Sequence, residues 1–442
     1  MFEPLNYKKN LKKKTFFIKE SLGQIWQNKI DYLFLFFQFV IMSGCIEQLN
    51  KDAILLVNFF ICLLLNVKFR RFNFPIYLLI LLTAFFLAAI PTLLYGILNF
   101  NTFIGFFIRI SVATLIIFYY RENFFIYFEN LVFILALISL PLYFVQLINV
   151  QFFDNFKNFS ELVLSEPRLT NGMGQLTGHR YLVVFLVNSW AENRNSGIGW
   201  EPAVFGAILS WAILMNLFIY KKSINIKLII LFIAAVTTFS IGTFVTLFVI
   251  FLFFILNKKK KILYIILGIT FSLIISSISF YKETLTRLDN YVAETNEEAY
   301  LQGEGGNRID ALIIGAKEII AKPWGYGIRS EKPDFMSFPN GFVSMIFRFG
   351  IPGLIVMFIL LFKLFNVLNY YFSTNFKGRI VFILAIIITL NGNPLSYQEI
   401  MFSLLLSGYI FQKLLVRKNI TQIDYIIKNI RINAKDIPLG EP

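Results

Sequence analysis

The pattern that decides the fold is clearest in residues 102–149, TFIGFFIRISVATLIIFYYRENFFIYFENLVFILALISLPLYFVQLIN. Two apolar runs, each of about the 20 residues with which a helix crosses about 30 Å of hydrocarbon, flank a short polar segment that begins at Arg121. Similar runs recur along the chain. We therefore predict an all-α polytopic membrane protein with about twelve transmembrane helices, at residues 30–46, 53–67, 74–98, 102–120, 125–149, 201–220, 225–240, 241–256, 262–280, 341–362, 380–394 and 397–415.

Basic residues cluster at every second junction between these runs, at residues 8–14, 68–71, 121, 221–227, 257–261, 377–379 and 413–418. Because cytoplasmic loops retain Lys and Arg, this alternation predicts that both termini are cytoplasmic and that residues 416–442 form a cytoplasmic tail. Two long polar segments, 151–200 and 281–340, are then loops on the outer face. Several runs are short, notably the second and the two that meet at Ser240–Gly242. These short runs could be re-entrant, so eleven spans is the alternative count.

Composition agrees with a single integral membrane domain over residues 1–442. Hydrophobic residues make up 57% of the chain, and the mean hydropathy of +0.67 exceeds that of soluble domains. The net charge of +15 lies mostly beside membrane ends, so we attribute it to topology and to anionic headgroups, and predict the lipid bilayer but no nucleic acid as a partner. No HExxH, CxxC, DxD, Walker A or GxGxxG motif occurs, so we predict no metal and no cofactor.

The two long outer loops are costly to order, so we expect them to carry function. They contain six of the chain's fourteen arginines, namely Arg168, Arg180, Arg194, Arg287, Arg308 and Arg329. The planar guanidinium group binds phosphates and carboxylates bidentately. This enrichment predicts an anionic ligand on the outer face, with Arg180 among the residues that bind it.

The first motif is RNSGIGWEPAVFG, residues 194–206. Its glycines permit a close backbone approach, and Pro202 suits the first position of a helix. Glu201 is therefore predicted at the outer mouth of a membrane helix, seven residues after Arg194. A helix-start carboxylate favoured by the helix dipole is the alternative interpretation, but the combination with Arg194 favours a functional site.

The second motif is NRIDALIIGAKEIIAKPWGYG, residues 307–327. Apolar residues recur at helical spacing and predict an amphipathic helix over 307–321. Arg308 lies in its first turn, where backbone N–H groups already favour an anion; an ion pair with Asp310 is the alternative role. After the helix comes an aromatic turn that contains Trp324.

The third motif is FPNGFVSMIFRFGIPG, residues 338–353, which begins with Asn340 near the end of the loop. Arg348 follows eight residues later, about 12 Å into the membrane by helical rise. Arg109 lies at a similar depth in another predicted span. Charges at such depth are usually functional, although snorkelling to the outer headgroups is the alternative. We predict that both arginines bind the phosphates of a lipid carrier.

Together, and in this order, the three motifs resemble those of the O-antigen ligase/polymerase family of bacterial inner-membrane glycosyltransferases. The resemblance covers residues 194–353. The family has an R-x-x-G-x-x-x-E-P-like segment, which is matched here by Arg194, Gly197, Glu201 and Pro202. It also has an Arg before a helix that ends in Pro and a Gly-x-Gly turn, which is matched by Arg308, Pro323, Gly325 and Gly327. The family's His-Asn pair, with a Gly after nine residues, is matched by Asn340 and Gly350, but Pro339 replaces the His.

The resemblance implies a GT-C-like membrane enzyme of the bacterial inner membrane. The His that is thought to be the catalytic base of the ligase branch is missing here. The resemblance therefore favours the Wzy-type polymerase branch, which joins undecaprenyl-diphosphate-linked oligosaccharides. Arg194 and Arg308 are then expected to stabilise the leaving diphosphate, and Glu201 to take the proton of the accepting hydroxyl. A flippase and a chain-length regulator are implied as partners. An O-antigen ligase and a lipid-linked oligosaccharide flippase are the alternative functions.

Overall fold

The computed structural model describes residues 29–42, 51–95, 100–156, 180–187, 193–199, 201–221, 223–257, 319–328, 341–391 and 401–414. Four predictions lie wholly or largely outside these residues: the span at 262–280, the helix at 307–321 before residue 319, the cytoplasmic tail at 416–442, and most of the loop at 281–340.

The described residues are mostly helical. The helices are α1 (Lys29–Met42), α2 (Lys51–Lys68), α3 (Phe74–Tyr95), α4 (Phe100–Tyr120), α5 (Phe124–Ile148), α6 (Pro202–Ile219), α7 (Ile226–Thr237), α8 (Ile241–Leu256), α9 (Gly341–Tyr371) and α10 (Arg379–Asn391). Residues 401–414 are also helical. Strands β1 (Arg180–Leu182) and β2 (Phe185–Val187) form an antiparallel hairpin in the first long loop, which the all-α prediction did not include.

Among the described residues, four helical segments are long and apolar enough to cross a membrane: Phe74–Leu94, Thr102–Ile148, Pro202–Ile219 and Ser344–Tyr371. The second of these consists of α4 and α5, joined by a 3₁₀ turn at Arg121–Asn123. Shorter apolar helices accompany them at Ala53–Lys68, Ile226–Thr237, Ile241–Leu256 and Arg379–Leu390. The protein is therefore a helical membrane protein, and the count of twelve spans stays a prediction.

The chain forms two compact units. Among the described elements, unit 1 contains α1, α5, both strands, α6, α7, α8 and the part of α10 that begins at Leu384. Unit 2 contains α2, α3, α4, α9, the part of α10 that ends at Ile383, and the helical segment 401–414.

Helix α6 is the centre of unit 1. Every residue from Pro202 to Phe218 is buried, as expected for a helix whose sequence is apolar on all sides. The helix packs against α5, α7 and α8, and the Trp211 Nε1 atom donates a hydrogen bond of 3.0 Å to the Thr389 hydroxyl. Gly206 allows a close crossing with α8, because a Cβ atom there would lie 2.9 Å from that of Thr243.

A buried ion pair joins α5 and α7 within unit 1. Lys227 belongs to the basic cluster that predicts the cytoplasmic side, yet its side chain is buried and its Nζ atom lies 3.1 Å from Glu129 Oε2. The other carboxylate oxygen accepts a bond of 2.7 Å from Asn216 on α6. Lys227 also donates to Asn130 and to the Tyr220 hydroxyl. Both charges therefore have polar partners from three helices, which their removal from water requires.

Lys227→Met is expected to lower the free energy of unfolding by about 3–5 kcal/mol, because it leaves the Glu129 carboxylate buried without a counter-charge. The double variant Lys227→Met/Glu129→Leu should recover most of that loss. Thermal unfolding of the purified protein in detergent measures both effects, with Lys221→Met as the control because Lys221 is exposed. A double variant no more stable than the single one would contradict this account of the ion pair.

Unit 2 is also held by side chains that bond to backbone groups of neighbouring helices. Asn66 on α2 donates a bond of 2.9 Å to the Leu115 carbonyl of α4, and Ser403 donates one of 3.1 Å to the Ala113 carbonyl. The Tyr77 hydroxyl on α3 bonds to Ser111 on α4 at 2.9 Å. Side-chain hydrogen bonds of this kind join helices in lipid, where apolar burial alone gives little preference for one helix face over another.

Candidate functional site

The segment that carries Arg194 and Glu201 is a tight loop between the hairpin and α6. The Gly197 carbonyl accepts a bond of 2.8 Å from the Leu186 amide of β2, and the Gly199 amide donates to the Ser196 carbonyl at 2.9 Å. Gly197 has a φ of +47°, and a Cβ atom there would lie 2.5 Å from the Cδ1 atom of the Phe205 ring. The first glycine of the motif is therefore required by both its backbone conformation and the nearby aromatic ring.

Arg194 is half-buried at the end of α7. Its Nε atom donates a bond of 3.0 Å to the carbonyl oxygen of Thr238, the residue that follows the helix. The Arg194 carbonyl accepts a bond of 3.4 Å from Gln146 on α5. A guanidinium group at a helix C terminus satisfies an otherwise unpaired carbonyl, so this arginine holds a structural contact in addition to any role with a ligand.

Asn195, which the sequence interpretation did not single out, fixes this loop. It is completely buried. Its amide nitrogen donates to the Ser139 hydroxyl on α5 at 3.3 Å and to the Thr237 hydroxyl on α7 at 3.0 Å. Its side-chain oxygen accepts a bond of 3.0 Å from the Gly197 amide. Its position next to Arg194 was the available signal, but the long-range partners could be found only in the folded chain.

Glu201 immediately precedes the first residue of α6. Its backbone is extended, with φ −142° and ψ 151°, and Pro202 follows at the first helical position, as predicted. The Glu201 side chain is exposed and makes no capping hydrogen bond to the helix. The helix dipole favours a negative charge at this position. The carboxylate is thus stabilised by the helix while its oxygens are not used in capping.

In unit 2, the aromatic turn packs onto a break in α9. The helix is interrupted at Gly350, whose φ of 58° and ψ of −153° are not helical. The amides of Tyr326 and Gly327 donate to the carbonyls of Phe347 and Arg348 at 2.6 and 3.0 Å. The Ile351 amide in turn donates to the Pro323 carbonyl at 2.8 Å. We call residues 323–328 and 347–351 together the glycine knot.

The glycine knot needs residues without side chains. A Cβ atom at Gly350 would lie 2.5 Å from Gly325 N, and one at Gly325 would lie 2.6 Å from Gly350 N. A broken helix within a membrane requires partners for the backbone groups it frees, and here the turn supplies them. Thr92 on α3, which the sequence interpretation missed, adds a third contact by accepting a bond of 3.3 Å from the Ile328 amide.

Arg348 and Arg109 lie on segments that touch within unit 2. Both side chains are half-buried. The backbone of Arg348 is held by the glycine knot, and the ring of its neighbour Phe349 lies 5.3 Å from that of Phe106, one turn before Arg109 on α4. Two membrane arginines therefore occupy adjacent helix segments.

The aromatic turn also brings a cation that the sequence interpretation did not consider. Lys322 places its Nζ atom 4.0 Å from the centroid of the Tyr326 ring, and Tyr326 is buried in the glycine knot. Trp324 in the same turn is 43% exposed. The turn therefore combines an exposed indole with a positive charge held against an aromatic face.

The described residues divide the candidates between the two units. Arg194 and Glu201 are in unit 1, together with the backbone of Arg180, which pairs with Val187 in the hairpin. Arg109, Arg348 and Trp324 are in unit 2. Arg308, Asn340 and the side chain of Arg180 lie outside the described residues, so their predicted roles stay predictions.

Residues 226–358 match the model of a family described as O-antigen ligase. Over these residues the chain is similar to the O-antigen ligase family. The segment of this chain that matches the O-antigen ligase family contains α7, α8, Arg308, the glycine knot and the first half of α9. It begins after Arg194 and Glu201. No curated protein and no solved structure is significantly similar to the chain.

The apolar helices indicate a multi-pass membrane protein, and the matched residues are similar to a family involved in polysaccharide synthesis. Members of the O-antigen ligase family are glycosyltransferase-like enzymes that act on lipid-linked glycans.

Proposed function

We propose that this protein is a polymerase of undecaprenyl-diphosphate-linked oligosaccharide repeat units, working at the outer face of the bacterial inner membrane. The product is a surface polysaccharide, such as O-antigen, capsule or exopolysaccharide. The observation that carries the proposal is the O-antigen ligase family match over residues 226–358. The Arg194–Glu201 segment, at the start of a helix that is buried from Pro202 to Phe218, supports it.

In the proposed reaction, a sugar hydroxyl of the incoming repeat unit attacks the anomeric carbon of the growing chain. The bond from that carbon to the diphosphate oxygen breaks, and undecaprenyl diphosphate leaves with the electron pair. Glu201 takes the proton of the attacking hydroxyl. Its exposed carboxylate beside a helix start suits that role, because nothing in the helix cap occupies its oxygens.

The leaving diphosphate develops negative charge, which fixed guanidinium groups in a water-poor site stabilise. Arg194 and Arg308 are assigned to this charge. Arg109 and Arg348, on touching segments of α4 and α9, are assigned to the lipid-linked phosphates. Arg180, Asn340 and Trp324 complete the substrate-binding set, with the exposed Trp324 ring suited to packing against a sugar.

Ligation to an acceptor is the second candidate, because the matched family is described as O-antigen ligase. Pro339 occupies the position of the family's histidine and favours polymerisation. Purified protein supplied with undecaprenyl-diphosphate repeat units alone should form a ladder of longer lipid-linked chains. Formation of product only when a separate lipid acceptor is added would identify a ligase instead.

Reporter fusions are expected to place residues 165 and 300 outside and residues 222, 259 and 420 in the cytoplasm. The alternation of basic clusters motivates this topology. Paired phosphatase and fluorescent-protein fusions at each position measure it, since the two reporters are active on opposite sides of the membrane. A cytoplasmic signal from residue 300 would remove the basis for an outer-face active site.

A further inference from the structure

A close helix crossing in unit 2 brings two lysines to one tyrosine. A Cβ atom at Gly408, in the helical segment 401–414, would lie 2.5 Å from the Cα atom of Leu364 on α9. Tyr409 follows Gly408 in the chain and Lys363 precedes Leu364, so the close crossing brings these two side chains together. The Lys363 Nζ atom lies 4.5 Å from the Tyr409 ring centroid. Lys413, one turn further along, places its Nζ atom 5.8 Å from the same centroid.

The positive charge of this cluster has no described counter-charge. The ammonium groups of Lys363 and Lys413 repel each other. Among the residues that the structure describes, neither lysine forms an ion pair. Lys363 and Tyr409 are half-buried, whereas Lys413 is exposed. Two ammonium groups held beside one ring, one of them partly out of water, favour the binding of an anion.

The surroundings indicate an anion that is attached to a membrane. Ile359 and Phe362, the residues of α9 that precede Lys363, are exposed apolar side chains, as expected where a helix faces lipid chains. Arg379 adds a third cation, its guanidinium 5.6 Å from the Phe362 ring centroid. Lys413 and Arg379 belong to basic clusters that predict the cytoplasmic side, where anionic phospholipid headgroups are abundant and basic pockets between helices bind them.

We propose that Lys363, Tyr409 and Lys413 form a binding site for the phosphate headgroup of an anionic phospholipid in the cytoplasmic leaflet. The two ammonium groups donate to the phosphate oxygens, and the acyl chains lie along the exposed apolar residues of α9. The site is independent of the proposed outer-face reaction. Its occupant is a lipid of the surrounding bilayer and not the lipid-linked oligosaccharide.

The proposal is tested by native mass spectrometry of the full-length protein in detergent. The probes are phosphatidylglycerol, phosphatidylcholine and inorganic phosphate, and their binding to the protein is compared. Phosphatidylglycerol is expected to bind at least tenfold more tightly than phosphatidylcholine. Each lysine contributes about fivefold, so Lys363→Gln/Lys413→Gln should remove most of that preference. The charge-matched control Lys68→Gln/Lys221→Gln should retain it.

Lys413→Gln alone keeps the test decisive if the double variant folds poorly, because Lys413 is exposed and its loss leaves the helix crossing intact. Unchanged phosphatidylglycerol binding by Lys413→Gln would overturn the proposal. Equal binding of phosphatidylglycerol and phosphatidylcholine would also overturn it. If millimolar inorganic phosphate displaced phosphatidylglycerol, the cluster would be a site for a free anion and not for a lipid.

Discussion

Arg194→Ala is expected to lower the rate of polymerisation by about 10²–10³-fold, the usual effect of removing one fixed group that stabilises a developing negative charge. In cells the product should change from a ladder of chains to single repeat units on the acceptor. Arg194→Lys should rescue the rate poorly, because an ammonium group lacks the bidentate fork of the guanidinium. Gel electrophoresis of the extracted polysaccharide measures the change, and a full-length ladder from Arg194→Ala would overturn the assigned role.

The structural contact of Arg194 must be separated from its catalytic role. Loss of the bond from the charged Nε group to the Thr238 carbonyl should cost about 1.5–3 kcal/mol of stability, less than the total stability of a typical folded domain. Thermal unfolding of the variant therefore accompanies the activity assay. Arg70→Ala serves as the matched control, since Arg70 is exposed at a predicted cytoplasmic junction and its removal should leave the ladder unchanged.

Gly350→Ala is expected to abolish activity and to lower the unfolding temperature strongly. The φ and ψ angles of Gly350, 58° and −153°, lie in a region that is essentially restricted to glycine, and this alone costs about 1–3 kcal/mol for another residue. The added Cβ atom would also meet backbone atoms of Gly325 and Trp324 at 2.5 Å. The turn and the helix break would have to separate, which would release the backbone of Arg348.

Gly105→Ala is the matched control for this variant. Gly105 lies within α4 in the same unit, and a Cβ atom there would meet nothing within 4 Å. Alanine should therefore be neutral or stabilise the helix by about 0.5–1 kcal/mol. If the Gly350→Ala variant kept the activity and the unfolding temperature of the unchanged protein, the proposed role of the glycine knot would be wrong.

The helix positions were predictable wherever a long apolar run is bounded by polar residues. The runs at 102–120 and 125–149 correspond to α4 and α5 because most residues between the boundaries are apolar and favour burial or lipid. The run at 341–362 was less well predicted. Helix α9 continues to Tyr371, although the polar residue Lys363 directly follows Phe362, and it breaks at Gly350. The break depends on hydrogen-bond partners in a distant turn.

The candidate site was partly predictable for a similar reason. Pro202 and the loop glycines have roles that follow from local backbone chemistry, so the placement of Glu201 at the start of α6 could be inferred without the fold. Asn195 and Thr92 could not be inferred, because an isolated Asn or Thr has no sequence pattern that reveals partners many residues away. Lys227 was counted with the topological cations, since burial beside Glu129 leaves no mark on the cluster at 221–227.

The sequence by itself determined that this protein crosses a membrane repeatedly, because helix length and apolar composition are properties of continuous segments. It also determined the order of the three motifs. Only the tertiary structure decided which polar groups meet: the Glu129–Lys227 pair, the bonds of Asn195, and the packing of the aromatic turn on the Gly350 break. Each of these joins residues far apart in the chain, and in an apolar interior a polar group is stable only where another element supplies its partner.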